Sequence, residues 1–266
     1  MHEKIVAISR WPLLRIAFRG LRLHHLYNAW LGRFPRTKTL PGSGIVYRSK
    51  RTESVSLALE ILEGGNCYDA SLFPKDFVTF ADLGCNVGYF TCWLAHHAKG
   101  RPIKGIMVDA NAGVVAEARW HMEANKLTDA HVLQGVVGVN GQEKTADFYL
   151  YEADTCSTAQ LVEIQMDFRD KFKKITVPVI RFREEWQRRF GDARCHLLKI
   201  DIEGSEMVFL EAETGFLRLV DVILVEWHKY RVSFKELHDF LLGQGFKFEK
   251  VIEDMGLNGT ACFKRV

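Results

Sequence analysis

Long apolar runs are missing from this sequence, and no stretch approaches the ~20 residues that a membrane-spanning helix needs. Near the start, Glu3, Arg10, Arg15 and Arg19 interrupt every apolar stretch, which argues against a secretory signal. Cysteine is sparse and scattered. Cys67, Cys85, Cys92, Cys156, Cys195 and Cys262 contain no Cys-x-x-Cys pair, so a zinc or disulfide framework is not expected and the thiols read as small buried hydrophobes. Repeats and low-complexity segments are absent too. A cytoplasmic protein is the expectation. What remains, 266 residues with 47% hydrophobic and 26% charged content, is enough for one large α/β core.

The net charge of +3 conceals an asymmetry. Residues 1–51 carry Lys4, Arg10, Arg15, Arg19, Arg22, Arg33, Arg36, Lys38, Arg48, Lys50 and Arg51 against the single acid Glu3, and the remainder is acidic overall. Pro12 suits the first turn of a helix, after which Leu13, Leu14, Ala17, Phe18 and Leu21 share one face and Arg15, Arg19 and Arg22 another. Beyond Gly20 the apolar face rotates to Leu23, Leu26, Tyr27, Trp30 and Leu31, so one straight helix is not expected. Residues 1–52 are therefore read as a basic helical arm and 53–266 as the main domain. Two uses of the arm stay open: packing on the domain or on a second copy in a homo-oligomer, or contact with a polyanion or the inner face of a membrane.

From Glu53 to Leu62 a helical pattern runs to Gly64-Gly65, and then strands and helices alternate. Strands are expected at Phe77–Leu83, Ile103–Asp109, His131–Gly135, His196–Asp201 and Val222–Glu226, with Phe246–Ile252 and Thr260–Arg265 closing the chain. Helices fit Tyr89–Ala98, Ala112–Asn125, Glu206–Leu219 and Phe234–Leu242. Thr145–Tyr151 with Ile175–Ile180 suggests an added hairpin or flap. This order predicts a doubly wound, mostly parallel seven-stranded sheet of Rossmann-like type with an N-terminal helical extension. Ligands in such sheets lie at the carboxyl ends of the strands.

Four strand ends carry polar residues. The first strand runs into Asp82-Leu-Gly84-Cys-Asn86-Val-Gly88, a sharp turn entering a helix. A side chain at Gly84 or Gly88 is expected to intrude on ligand space. The glycine spacing is not the Gly-x-Gly-x-x-Gly of dinucleotide sites, which weighs against a nicotinamide oxidoreductase. An acid just before the turn suits S-adenosylmethionine, which has an ammonium and no pyrophosphate. Asp109 ends the second strand, where a carboxylate can accept both hydroxyls of a ribose; the competing reading is a helix N-cap. Asp201 ends the fourth strand in Lys199-Ile-Asp-Ile-Glu203-Gly-Ser-Glu206, and Glu226 and His228 end the fifth. Alternation puts Lys199 and Asp201 on one face of a core strand, so Lys199, Asp201 and Glu203 should pair with one another or with a ligand.

Together these residues resemble the FkbM family of S-adenosylmethionine-dependent O-methyltransferases. Asp82–Gly88 is similar to its glycine loop, Lys199–Glu206 to its second hallmark, and Val225-Glu226-Trp227-His228 to its Glu-x-His after the fifth strand. The resemblance spans Leu59 to the C-terminus and implies the class I methyltransferase fold. It departs from the family at Asp109-Ala110, where Glu-Pro is common, and at Arg181-Phe182-Arg183. It implies a methyl acceptor that is a hydroxyl of a sugar, glycan or other natural product. The cofactor residues it implies are Asp82, Gly84, Asn86, Gly88 and Asp109; the catalytic candidates are His228, Asp201, Lys199, Glu226 and Glu203.

Methyl transfer from a sulfonium is an in-line displacement, so the site must position an oxygen and take its proton. No covalent nucleophile is required. Two routes for the proton stay open. In one, His228 is the base, oriented by Glu226 or Asp201. In the other, Asp201, Glu226 and His228 hold a divalent cation such as Mg2+ that lowers the acceptor's pKa. The alternative function is an RNA ribose 2'-O-methyltransferase that uses the basic arm on phosphates. Thr155–Thr158 and Tyr151 in the flap, and Trp227 and Tyr230 after the fifth strand, are further residues that could meet an acceptor or simply pack. His24, His25, His96, His97 and His121 read as surface or packing residues.

Overall fold

Short runs of β-branched and large apolar residues at 79–83, 104–108, 195–200 and 220–225 have no polar face, as strands covered on both sides must. In the computed structural model, which describes residues 23–64, 67–139, 143–151 and 172–266, these runs form the centre of a seven-stranded sheet. The elements are α1 (Leu23–Arg33), β1 (Arg36–Thr39), β2 (Val46–Ser49), α2 (Thr52–Ile61), β3 (Thr79–Leu83), α3 (Tyr89–Ala98), β4 (Lys104–Asp109), α4 (Ala112–Ala124), β5 (Ala130–Gln134), β6 (Thr145–Tyr151) and β7 (Phe172–Pro178). After them come α5 (Phe182–Phe190), β8 (Cys195–Ile200), α6 (Glu206–Ala212), α7 (Thr214–Leu217), β9 (Val220–His228), α8 (Phe234–Gly243), β10 (Phe246–Met255) and β11 (Asn258–Arg265).

The sheet order is β10-β11-β9-β8-β3-β4-β5. Strands β9, β8, β3, β4 and β5 run parallel, and β11 lies antiparallel between β9 and β10. This is the doubly wound architecture expected of a class I methyltransferase. The chain moves outward from β3 to β5 and then returns to β8 on the other side of β3. That reversal opens a crevice at the carboxyl ends of β3 and β8.

Strict alternation divides the sheet's side chains between two cores. Phe80, Leu197, Val222, Leu224 and Cys262 meet α3 through Phe90 and Leu94. Ala81, Leu83, Leu198, Ile200, Ile223, Val225 and Phe263 meet α5, α6 and α8 through Trp186, Phe209 and Leu237. Asp82 and Lys199 belong to the first face, directly in register across β3 and β8.

Three elements differ from the sequence reading. Helix α5, in the sequence Phe-Arg-Glu-Glu-Trp-Gln-Arg-Arg-Phe, shows no apolar run; it is anchored by Phe182 and Trp186, one turn apart and fully buried. Its first amides are capped from elsewhere, since Glu213 accepts hydrogen bonds from Phe182 N and Arg183 N. That same Glu213 separates α6 from α7, which were expected as one helix. The polar segments 36–39 and 46–49 form a hairpin that no alternation announced. The flap is present as antiparallel β6 and β7.

Within the arm, Tyr27 and Leu31 of α1 pack on Val55 and Leu59 of α2. Arg36 makes a two-pronged bond to Glu63 (2.5 and 2.8 Å), and Lys38 reaches the same carboxylate, so these basic groups are turned inward. The helix expected from Pro12, together with Cys156 and Thr155–Thr158, lies outside the described residues. Cys67, Cys85, Cys92, Cys195 and Cys262 are free thiols. Among the described residues no helix is long and apolar enough to cross a membrane.

Candidate active site

The turn after β3 is made by positive φ at Gly84 (+72°), Asn86 (+47°) and Gly88 (+84°). Gly84 N and Cys85 N both donate to Val108 O, at 2.9 and 3.0 Å, which folds the turn back over β4. The glycines are also needed for packing within the protein. A Cβ on Gly84 would sit 1.7 Å from the Asp201 carbonyl oxygen, and one on Gly88 would sit 3.0 Å from Met107 Cε and 3.3 Å from Ala118 Cβ. Backbone atoms forbid a side chain at Gly84, whereas at Gly88 the neighbours only crowd it.

Asp109, at the carboxyl end of β4, is part-exposed. One of its oxygens accepts from Asn86 N and the other from Asn111 N, both at 2.9 Å. Burial pushes its carboxyl up to about 6, against the opposing pull of those two amides. The helix-cap reading of Asp109 fails, because Asn111 caps α4 by accepting from Gly113 N. A carboxylate has about four lone-pair sites, so Asp109 retains acceptor capacity toward the crevice while the turn holds its orientation.

Asp82 is fully buried beneath the turn. Its Oδ2 accepts from Thr91 Oγ1 at 3.1 Å, whereas its Oδ1 has no hydrogen-bond partner and lies 3.6 Å from Lys199 Nζ. Burial raises its pKa. Lys199 donates to Gly84 O at 2.8 Å and lies 3.2 Å from Asp201 Oδ2. Burial alone would lower its pKa, but the carboxylates of Asp201 and Asp82 outweigh it and raise it well above the usual value.

His228 sits between two carboxylates. Its Nδ1 is 2.9 Å from Glu206 Oε1 and its Nε2 is 3.2 Å from Glu203 Oε2. Burial opposes protonation, yet the hydrogen bonds to Glu203 and Glu206 hold the imidazolium to about 11. The orienting residues are therefore Glu203 and Glu206, which corrects the expectation of Glu226 or Asp201. With carboxylates on both ring nitrogens, this arrangement favours the imidazolium. Glu203 is held toward His228 by an unusual backbone, φ +52°. Burial pushes the Glu203 carboxyl up to about 7 and, together with the charge of Asp201, that of Glu226 up to about 8. Glu226 accepts a hydrogen bond from Asn258 Nδ2.

Ligand atoms of Asp201, Glu203 and His228 all lie within 4.8 Å of one another. Glu226, expected in the metal set, is not in that group; Glu203 takes its place, because the turn at Glu203 brings its carboxylate back onto His228. An imidazole whose other nitrogen is fixed by a carboxylate, here Glu206, is the usual arrangement at metal centres.

Other groups near the site were not legible in advance. His121, read as packing, is buried below the turn: its Nδ1–H donates to Val87 O at 2.7 Å and its Nε2 accepts from Arg48 N at 2.9 Å. Tyr89 OH donates to Arg48 O at 2.7 Å, so the β1–β2 hairpin braces the turn through two side chains. Tyr68, from a loop with no pattern to mark it, feels the charges of Lys199, Asp201 and Asp82. Trp227 is buried against Phe234, whereas the Tyr230 ring lies 5.5 Å from that of His228. The Tyr151 ring packs within the flap against that of Phe172, tilted by 41°. Arg181 and Arg183 are spent on backbone carbonyls, Arg181 on Val139 and Glu143 and Arg183 on Gly215.

Solved structures similar to this chain include TrmK of M. capricolum with S-adenosyl-homocysteine, at 12% identity and TM-score 0.44 over 75% of this chain and 69% of that one. TYW2 of M. jannaschii with AdoMet matches at 13% identity and TM-score 0.43 over 87% of each chain. Methyltransferase FkbM from Methylobacillus flagellatus KT matches at 15% identity and TM-score 0.46; 71% of this chain is covered but only 44% of that one. No curated protein matches the sequence. Residues 82–248, from the acid before the turn to the end region of the sheet, match the Methyltransferase FkbM domain. The match takes in every strand end described above and more than half of the sequence, and the chain belongs to that methyltransferase family.

Proposed function

We propose that the protein is an S-adenosylmethionine-dependent O-methyltransferase acting on a hydroxyl of a sugar, glycan or other natural-product acceptor. One observation carries this reading: the donor turn and the acid cluster touch, with Gly84 against the Asp201 carbonyl and Lys199 bonded to both. A hydroxyl placed beside the turn therefore meets carboxylates at the ends of β8 and β9. The residues fit the cofactor, since Asp109 offers a held carboxylate for ribose hydroxyls and the crevice is acidic toward a cationic sulfur and ammonium. When bound, S-adenosylmethionine supplies an electrophilic methyl on a positively charged leaving group.

Glu226, pushed up to about 8, is placed in pKa to accept the hydroxyl proton near neutrality. Asn258 orients it. Asp201, Glu203 and His228 would hold a divalent cation, and their oxygen-rich set suits Mg2+ or Mn2+, which would lower the acceptor's pKa. Chelation with EDTA should then reduce turnover about tenfold or more, with recovery on adding Mg2+ or Mn2+. Turnover indifferent to chelation would assign the proton to Glu226 alone.

The test of the function is a screen with methyl-labelled donor against glycans, amino sugars, polyketides and tRNA. Label in a hydroxyl of a small molecule or glycan supports the reading; label in RNA ribose alone replaces it with the RNA alternative. Donor affinity should also rise with pH between 5 and 7. The Asp109 carboxyl, raised to about 6, is protonated below that pH and gives up one of its acceptor sites. Asp109→Asn should bind donor about tenfold more weakly and remove the pH dependence, as read by calorimetric titration.

A further inference from the structure

We infer that Lys199 is a positioning residue, whose ammonium fixes the donor turn and the Asp201 carboxylate against each other. This rests on the reading of the crevice as a methyl-transfer site. The ammonium donates a hydrogen bond to Gly84 O at 2.8 Å and is paired with two carboxylates, Asp201 Oδ2 at 3.2 Å and Asp82 Oδ1 at 3.6 Å. The side chain is 7% exposed. Its donors are directed at the protein, and the first two acceptors belong to different halves of the site.

The backbones around it leave little freedom. Asp201 N donates to Leu83 O at 3.0 Å, and the Gly84 Cα lies against the Asp201 carbonyl. With β3 and β8 fixed in this way, the direction of the Gly84 carbonyl and the rotamer of Asp201 are what a side chain can still set, and Lys199 holds both. Asp82 completes the device. It reaches Thr91 and Lys199 from a fully buried position, so it holds the ammonium from below without access to a substrate.

The experiment is a double-mutant cycle read by S-adenosylhomocysteine binding in calorimetry. This probe has the adenosine and amino-acid groups of the donor but no charge on sulfur, so direct attraction by Asp201 is reduced. Lys199→Met should weaken binding about tenfold or more. Asp201→Asn should weaken it about threefold when Lys199 is present and leave it unchanged in the Lys199→Met background, because the second substitution then has no link to break. Should Lys199→Met not fold, the Lys199→Met/Asp82→Asn variant removes the buried charge that has lost its partner, and it is compared with Asp82→Asn. Binding by Lys199→Met within about twofold of the unmodified protein, or an Asp201→Asn effect of equal size in both backgrounds, overturns the role of Lys199. If the unmodified protein binds neither S-adenosylmethionine nor S-adenosylhomocysteine, the functional reading fails and this inference falls with it.

Discussion

Alanine at position 84 should lower donor affinity about a hundredfold and cost about 3–5 kcal/mol of stability, the sum of a strained φ and a backbone overlap. The φ of +72° alone is tolerable for some side chains. The overlap is not, because the new Cβ would lie 1.7 Å from the Asp201 carbonyl oxygen, immediately after β8, a strand paired on both sides. Relief requires β3 and β8 to part at the point where Lys199 bridges them, which displaces the turn and Asp201 together. Gly88→Ala should be much milder, since its nearest neighbours at 3.0 and 3.3 Å are the end of the flexible Met107 side chain and a methyl group. Thermal melts and donor titrations on the two variants test this. Equal effects at the two positions would mean that the contact with Asp201 has no special weight.

His228→Ala should reduce turnover about a hundredfold, because it removes one of the groups that would hold the cation, and destabilise the protein by about 3–5 kcal/mol, because it leaves a buried carboxylate without its positive partner. Glu206 is fully buried, and its Oε1 also accepts from Ile202 N and Gly204 N, so it cannot turn out to water. Adding Glu206→Gln to His228→Ala removes the stranded charge. Stability should largely return, whereas turnover should not, which separates the fold's need for His228 from the reaction's. The pH dependence gives a second reading. A histidine whose folded pKa is raised, here to about 11, contributes stability fully present below its unfolded value near 6.5. That contribution is lost as pH rises toward 11, so melting of the unmodified protein should fall across this interval. His228→Ala/Glu206→Gln should melt with a flatter profile. Unchanged slope in the double variant would falsify the pairing.

The sheet was legible because its strands are covered on both faces and its helices are not. Thr79–Leu83 and Cys195–Ile200 read as core strands from composition alone, and the order of alternating elements left one architecture. Alternation also placed Lys199 with Asp201 correctly. Helix α5 was not legible, because its two anchors, Phe182 and Trp186, are set among charges and its cap comes from Glu213, 31 residues away from Phe182. The β1–β2 hairpin was missed for a similar reason: Arg36-Thr-Lys-Thr carries no apolar face, and its role depends on His121 and Tyr89, which reach it from other elements.

In the site, residue types and strand ends were written in the sequence, whereas partners were not. The motif Lys199–Glu206 announces charges in a core strand; it does not say that Glu206 turns inward to His228 while Glu203 returns on it from the other side. The turn Asp82–Gly88 announces a close approach, but only the packed sheet shows that the Asp201 carbonyl lies against Gly84. Periodicity fixes which face a side chain takes, since that follows from the geometry of one strand. Hydrogen-bond and ion-pair choice depends on distances of about 3 Å between strands far apart in the chain, and those are set only when both cores have closed on the sheet.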